Sequence, residues 1–124
     1  MKTIRRTTLM FAAAMCALGA AAGPSTMTVK GYVLDSACAF TKDLAKPISR
    51  ECATSCAKSG SPLVILADTG VIYWPISDAT PAAGQNERLL AYAAQKVAVR
   101  GRVFTRGGSH AIVIDKIELE PSGK

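Results

Sequence analysis

Residues 63–75 read Leu63-Val-Ile-Leu-Ala67, then Asp68-Thr-Gly70, then Val71-Ile-Tyr-Trp-Pro75. A short apolar run bounded by turn residues is a buried strand. Asp-Thr-Gly supplies the side chains that reverse a chain, so the second run is the return strand of a hairpin. A second hairpin lies downstream. From Lys96 to Phe104, Val97, Val99 and Val103 alternate with Ala98, Arg100 and Arg102. That is the two-residue period of a strand with one covered face, and Gly101 marks a bend in it. Arg106-Gly107-Gly108-Ser109 turns the chain, and His110 to Leu119 returns it with Ile112, Ile114 and Leu119 apolar.

Between the hairpins, Ser77 to Gln85 contains Pro81 and Gly84 and reads as loop. Asn86 is placed to cap a helix over Glu87 to Ala94, with Leu89, Leu90 and Ala93 on one face. Upstream, Met27 to Leu34 is β-rich and partly alternating, with Gly31 at a bulge or bend. Asp35 to Pro47 reads as irregular. Ser49 is placed to cap a helix from Arg50 to Lys58, with Glu51 in its first turn and Gly60 as the stop. The order is strand, helix, strand, strand, helix, strand, strand. A mainly β domain of five short strands and two short helices, one of them before the fourth strand, has the order of a small OB-like barrel. An open α+β sheet with both helices on one face is the alternative.

The chain has 124 residues, 49% hydrophobic and 19% charged. That is one domain of ordinary composition, which excludes a multidomain enzyme, a long disordered chain and a coiled-coil rod. Lys2, Arg5 and Arg6 precede the apolar run from Leu9 to Ala22, and Ala20-x-Ala22 ends it. A basic start, a short apolar run and small residues make a secretory signal peptide over residues 1–22, followed by a single domain over 23–124. The run is shorter than the roughly 20 residues of a spanning helix, so no membrane span is expected in the mature chain. Met15 stands where a lipoprotein signal needs a small residue, so Cys16 leaves with the leader. Arg5-Arg6 before Leu9 weakly resembles a twin-arginine signal, from which Ile4 and Thr8 depart. The expected location is periplasmic or secreted.

Without the leader, twelve basic and nine acidic residues remain, a formal charge of +3 against +6 for the whole chain. Arg100, Arg102 and Arg106 have no interleaved aromatics and read as a solvated strand face, so nucleic acid is not an expected partner. His110 is the only histidine, and no Ser-His-Asp set can be built. Asp35, Asp43 and Glu51 are scattered, with no paired carboxylates for acid–base work.

Three cysteines remain. Cys52 and Cys56 are four residues apart on the expected helix, which places both sulfurs on one face. Cys38 belongs to the preceding loop, which is long enough to fold back over them. In an oxidising compartment the default is a disulfide, and an odd count leaves one thiol over. Cys38–Cys52 or Cys38–Cys56 would tie the loop to the helix. Thiolates also select soft metals. Three suffice for trigonal Cu(I), and with His110 they make the Cys₃His set of a structural zinc site. A third use is redox, with Cys52 and Cys56 as the pair and Cys38 as resolving thiol, although the spacing is not Cys-x-x-Cys. Asp35, three residues before Cys38, is placed to orient a ligand or to hydrogen-bond the loop backbone, as in an Asx turn. Tyr73 and Trp74 make an aromatic pair, read either as hairpin packing or as a ligand platform on the barrel face.

The string Gly31-Tyr-Val-Leu-Asp35-Ser-Ala-Cys38, followed by Glu51-Cys52-Ala-Thr-Ser-Cys56-Ala57, resembles small exported bacterial OB-like domains of unknown function. Pro62-Leu-Val-Ile-Leu66, Val71-Ile-Tyr73, Val97-Ala-Val-Arg-Gly101 and Ile112-Val-Ile-Asp-Lys-Ile117 extend the likeness over residues 27–119. The resemblance implies the barrel and no reaction. Comparable domains often carry a histidine between the first two cysteines, which this chain lacks. The sequence therefore reads as an exported non-enzymatic domain, binding or structural. Its three cysteines either staple a loop or hold copper or zinc, and a protein or small ligand of the cell envelope is its expected partner. A thiol redox protein and a ligand-binding OB module are the alternatives.

Overall fold

The computed structural model describes residues 23–42 and 48–121; the expected leader, residues 1–22, and residues 43–47 and 122–124 lie outside them. Five strands close into a barrel. They are β1 (Ser25–Asp35), β2 (Leu63–Ala67), β3 (Ile72–Pro75), β4 (Lys96–Arg106) and β5 (Ser109–Leu119). Around the barrel the order is β1-β2-β3-β5-β4, with β4 returning to β1. All pairs are antiparallel except β3 with β5, where Tyr73, Trp74 and Pro75 stand opposite His110, Ala111 and Ile112. This is a small OB-like barrel, and the open-sheet alternative is excluded.

β1 closes it by serving two neighbours. Ser25 to Tyr32 pair with β4, and Gly31 to Asp35 pair with β2. Gly31 and Tyr32 belong to both ladders, so the strand turns the barrel's corner there. A Cβ on Gly31 would collide with the Leu66 carbonyl oxygen, which is why glycine occupies the corner. Opposite Gly101 the β4–β5 register slips, so that Asp115 is bulged out of the ladder. The bends expected at both glycines are found.

The interior is filled by alternate residues of every strand: Val29, Val33, Ile65, Tyr73, Val97, Val99, Val103 and Ile112 among them. All five residues of β2 are buried, because its outer side is covered as well. There Leu34, Val64 and Leu66 pack under Ala39, with Ile48, Ile72 and Trp74 at the margin.

Among the described residues three short α-helices decorate the barrel, one more than expected. α1 (Ser36–Thr41) lies in the segment read as irregular. Its six residues carry no helical apolar repeat, and it forms because the Asp35 side chain caps it and Ala39 docks on β2's outer side. α2 (Arg50–Lys58) is as expected, with Ser49 Oγ accepting from Cys52 N at 3.3 Å and Lys58 in the last turn. Its Ala57 reaches the barrel core. α3 (Asn86–Leu89) stops early and continues only as a 3₁₀ turn, Leu90–Tyr92. The helix expected to Ala94 ends there because β1 captures the backbone: Ala93 bridges Val33, and Ala94 N donates to Val33 O at 2.7 Å. Leu89, fully buried, joins the barrel core. Among the described residues no helix is long and apolar enough to cross a membrane.

Candidate functional site: a buried carboxylate beside two thiols

Asp35 ends β1 and is the only buried polar or charged residue among those described, 3% exposed. A carboxylate taken from water needs hydrogen bonds to replace it. The Cys38 amide donates to Oδ1 at 2.6 Å, and the Ser61 hydroxyl donates to Oδ2 at 3.2 Å. The nearby Cys38 and Cys56 thiols also act on the carboxylate and lower it further. Burial pushes the Asp35 carboxyl up, but these hydrogen bonds outweigh it and hold the group below the usual carboxylate range.

The register explains the convergence. Asp35 stands opposite Leu63 across β1–β2, and Ser36 N donates to Pro62 O at 2.8 Å. That pairing places the chain leaving α2, with Ser61, beside the chain entering α1, with Cys38. Asn86 fixes the same junction. Its side chain accepts from Leu63 N at 2.8 Å and donates to Ser61 O at 2.7 Å and to Ala57 O at 3.2 Å. Asn86 was expected as a helix cap. Instead Gln85 occupies that position, without a side-chain cap bond.

Cys38 and Cys56 are half-buried, and Cys52 is exposed. Cys52 acts electrostatically on both of the others. The Cys56 thiol is pushed up to about 11, first by its hydrogen bond to Asp35, then by burial, the Asp35 charge and Cys52. Burial, and then the same carboxylate, push the Cys38 thiol up, against the opposing charge of Lys42. Burial and one anion together thus favour the thiol form of both sulfurs. Among the described residues no group of three or more His, Cys, Asp or Glu side chains is arranged to hold a metal ion.

His110 sits elsewhere. It is the second residue of β5, opposite Tyr73, with the two ring centroids 5.5 Å apart, and its Nδ1 lies 3.2 Å from Thr105 Oγ1. These partners belong to the β3–β5 and β4–β5 pairings. Tyr73 and Trp74 do not form a joint platform, because neighbours on a strand face opposite ways. Tyr73 is buried in the barrel interior, and Trp74 lies on the outer side. Trp74 is instead partnered by Phe40 of α1, with ring centroids 6.3 Å apart and Phe40 66% exposed. Phe40 carried no sequence signal, since the helix that holds it was not expected. The salt bridge of Arg102 to Asp78 and the exposure of Arg100 and Arg106 fit a solvated strand face.

No protein-family model, curated protein or solved structure matches the chain.

Proposed function

We propose that this protein is an exported structural or binding domain whose cap is stapled by a disulfide between Cys38 and Cys52, with Cys56 kept as a thiol. What supports this reading is that the Cys38 amide donates to Asp35 at 2.6 Å, which ties the start of α1 to the junction, and that Cys52 and the Asp35 carboxylate each act electrostatically on both Cys38 and Cys56. A Cys52–Cys56 bridge is the strained choice. Helical side chains four residues apart have Cβ atoms about 5–6 Å apart, and a disulfide needs about 3.8 Å. A Cys38–Cys56 bridge would strip the buried carboxylate of both S–H donors at once. Cys38–Cys52 leaves Asp35 the Cys38 amide, the Ser61 hydroxyl and the Cys56 thiol.

Such a bridge ties α1 to α2 beside the barrel. Closing a loop of about 15 residues contributes roughly 3 kcal/mol in the chain-entropy model, a large share of the stability of a domain this small. The secretory leader read from the sequence supplies the oxidising compartment. A thiol held protonated is a poor nucleophile, which favours a staple over fast redox cycling. The stapled barrel then offers its surface to a protein or small ligand of the cell envelope.

Peptide mapping and thiol counting on protein taken from its own compartment test the proposal. One thiol per chain, assigned to Cys56, and a Cys38–Cys52 cross-linked peptide are expected. Three thiols that titrate without a chelator overturn it. Three that titrate only after chelation replace it with a copper or zinc site, and a pair that cycles and accelerates insulin reduction replaces it with a redox protein.

A further inference from the structure

We propose that this chain forms a weak twofold dimer by pairing the free edge of β5 with the same edge of a second copy, centred on Ile117. The inference does not depend on the staple. β5 runs beside β4 for its whole length, but β3 meets it only at His110, Ala111 and Ile112. Beyond that contact, Arg88 Nη1 donates to Ile114 O at 2.8 Å, and Pro121 has no amide hydrogen to offer. Asp115 to Leu119 lie between these limits. In an antiparallel ladder every second residue exchanges both its bonds with the strand opposite. Glu120 N donates to Lys96 O at 2.9 Å, so Glu118 and Lys116 turn their peptide groups toward β4 as well. The peptide groups of Ile117 and Leu119 therefore turn the other way, and among the described residues no strand pairs with them. Leu119, 54% exposed, adds an apolar side chain on the same face as Ile117.

Charge selects the occupant and the register. A bare edge invites any strand, and charged side chains along it ordinarily discourage pairing. Here the charges alternate in sign. Lys116 and Glu118 are 66% and 60% exposed, and their charged atoms lie 2.8 Å apart. Neither finds an opposite charge directly across on β4, where Lys116 stands opposite Arg100 and Glu118 opposite Ala98. Like charges placed directly opposite each other are destabilising. An antiparallel copy with Ile117 on Ile117 sets Lys116 against Glu118 of the second copy, and the twofold axis repeats that contact. Moving the centre to residue 116 sets lysine on lysine, and moving it to residue 118 sets glutamate on glutamate. Of these three registers, only the one centred on Ile117 attracts. In it the outward peptide groups of the two Ile117 residues exchange a pair of hydrogen bonds. So short an edge stays well below the roughly 1,200 Å² of a stable interface, so the dimer is weak and depends on concentration.

Sedimentation velocity on the exported chain between about 1 μM and 1 mM tests the proposal. The variants are Lys116→Glu and Glu118→Lys, both at exposed positions, and circular dichroism shows that each folds. The parent is expected to pass from monomer to dimer over this range, and to associate less as salt is raised. Either variant alone turns both contacts across the edge into like-charge pairs, and its association is expected to weaken about tenfold or more. Mixed in equal amounts, the two variants are expected to dimerise with each other, because the two acids of one then face the two lysines of the other. The ion pair within the chain is lost in both variants, so rescue on mixing reads only the contact between copies. A parent that stays monomeric throughout overturns the proposal, as does a mixture that stays monomeric. So does a dimer that either variant leaves intact, including one held by a cysteine cross-link, which non-reducing electrophoresis reveals. Bridge positions and thiol counts do not enter, so the staple stands or falls separately.

Discussion

The Cys38 amide donates to the Asp35 carboxylate at 2.6 Å, so the residue that ends β1 also caps α1. The other carboxylate oxygen takes the Ser61 hydroxyl from the far side of α2. One side chain therefore joins a strand, a helix and the turn after α2, and its charge acts on the Cys38 and Cys56 thiols.

Acid should loosen this junction. Burial raises the Asp35 carboxyl, but the bonds from Cys38, Cys56 and Ser61 prevail and lower it. A lowered acid gives stability that is present above the unfolded value of about 3.9 and is lost as pH falls through the lower folded value. Urea midpoints of the parent should drop on acidification below about pH 4, and those of Asp35→Asn should drop less. Parallel losses would assign the acid sensitivity to other carboxylates. At neutral pH, Asp35→Ala should cost about 1 kcal/mol through the lost cap alone.

Alkali should act on Cys56 with the opposite sign. Its thiol is raised in the folded chain from 9.0 to about 11, so the native state binds the proton more tightly than the unfolded one. That stability is full below the unfolded value and is lost as pH rises through the folded one. Reduced protein should lose part of its stability between about pH 9 and pH 11, and Cys56→Ser should lose less over the same range. Thermal midpoints measured across that interval compare the two.

The barrel's corner offers a purely steric test. An alanine at Gly31 would press its Cβ into the Leu66 carbonyl, and one at Gly101 would meet the Val113 carbonyl. Both obstacles are backbone within a ladder and cannot rotate away. Each substitution should cost about 1–3 kcal/mol, whereas Gly84→Ala, with nothing near its Cβ, should stay within about 0.5 kcal/mol. Urea titration of the three variants ranks them, and equal midpoints would refute the close packing of the shared strand.

The strands were legible because their covered faces repeat every second residue, as with Val97, Val99 and Val103, and because glycines mark both bends. The same period also separates Tyr73 from Trp74, a consequence hidden by reading the two aromatics as a pair. α1 was illegible: Ser36 to Thr41 hold no apolar repeat, and only Asp35 ahead of them is a helix signal. The i, i+4 spacing put Cys52 and Cys56 on one face from sequence alone. The meeting of these thiols with Asp35 was not readable, since it depends on the pairing of Asp35 with Leu63, a register that no local pattern encodes.

Asn86 distinguishes the observed junction from the expected one. A helix cap replaced by alanine costs about 1 kcal/mol and little else. Here the side chain instead satisfies Leu63 N, in the first residue of a fully buried strand, and the carbonyls of Ser61 and Ala57. Asn86→Ala strands one donor and two acceptors, and unpaired buried groups cost about 1–3 kcal/mol. Gln85 occupies the cap position with no side-chain cap bond, and among the described residues its side chain bonds to Ala83 O on the exposed loop. Gln85→Ala should therefore stay within about 0.5 kcal/mol. Amide hydrogen exchange adds a local readout, because the Leu63 amide should lose protection in Asn86→Ala and keep it in Gln85→Ala. Equal effects of the two substitutions would return Asn86 to the role of an ordinary cap and remove the tie between α3 and the thiol junction.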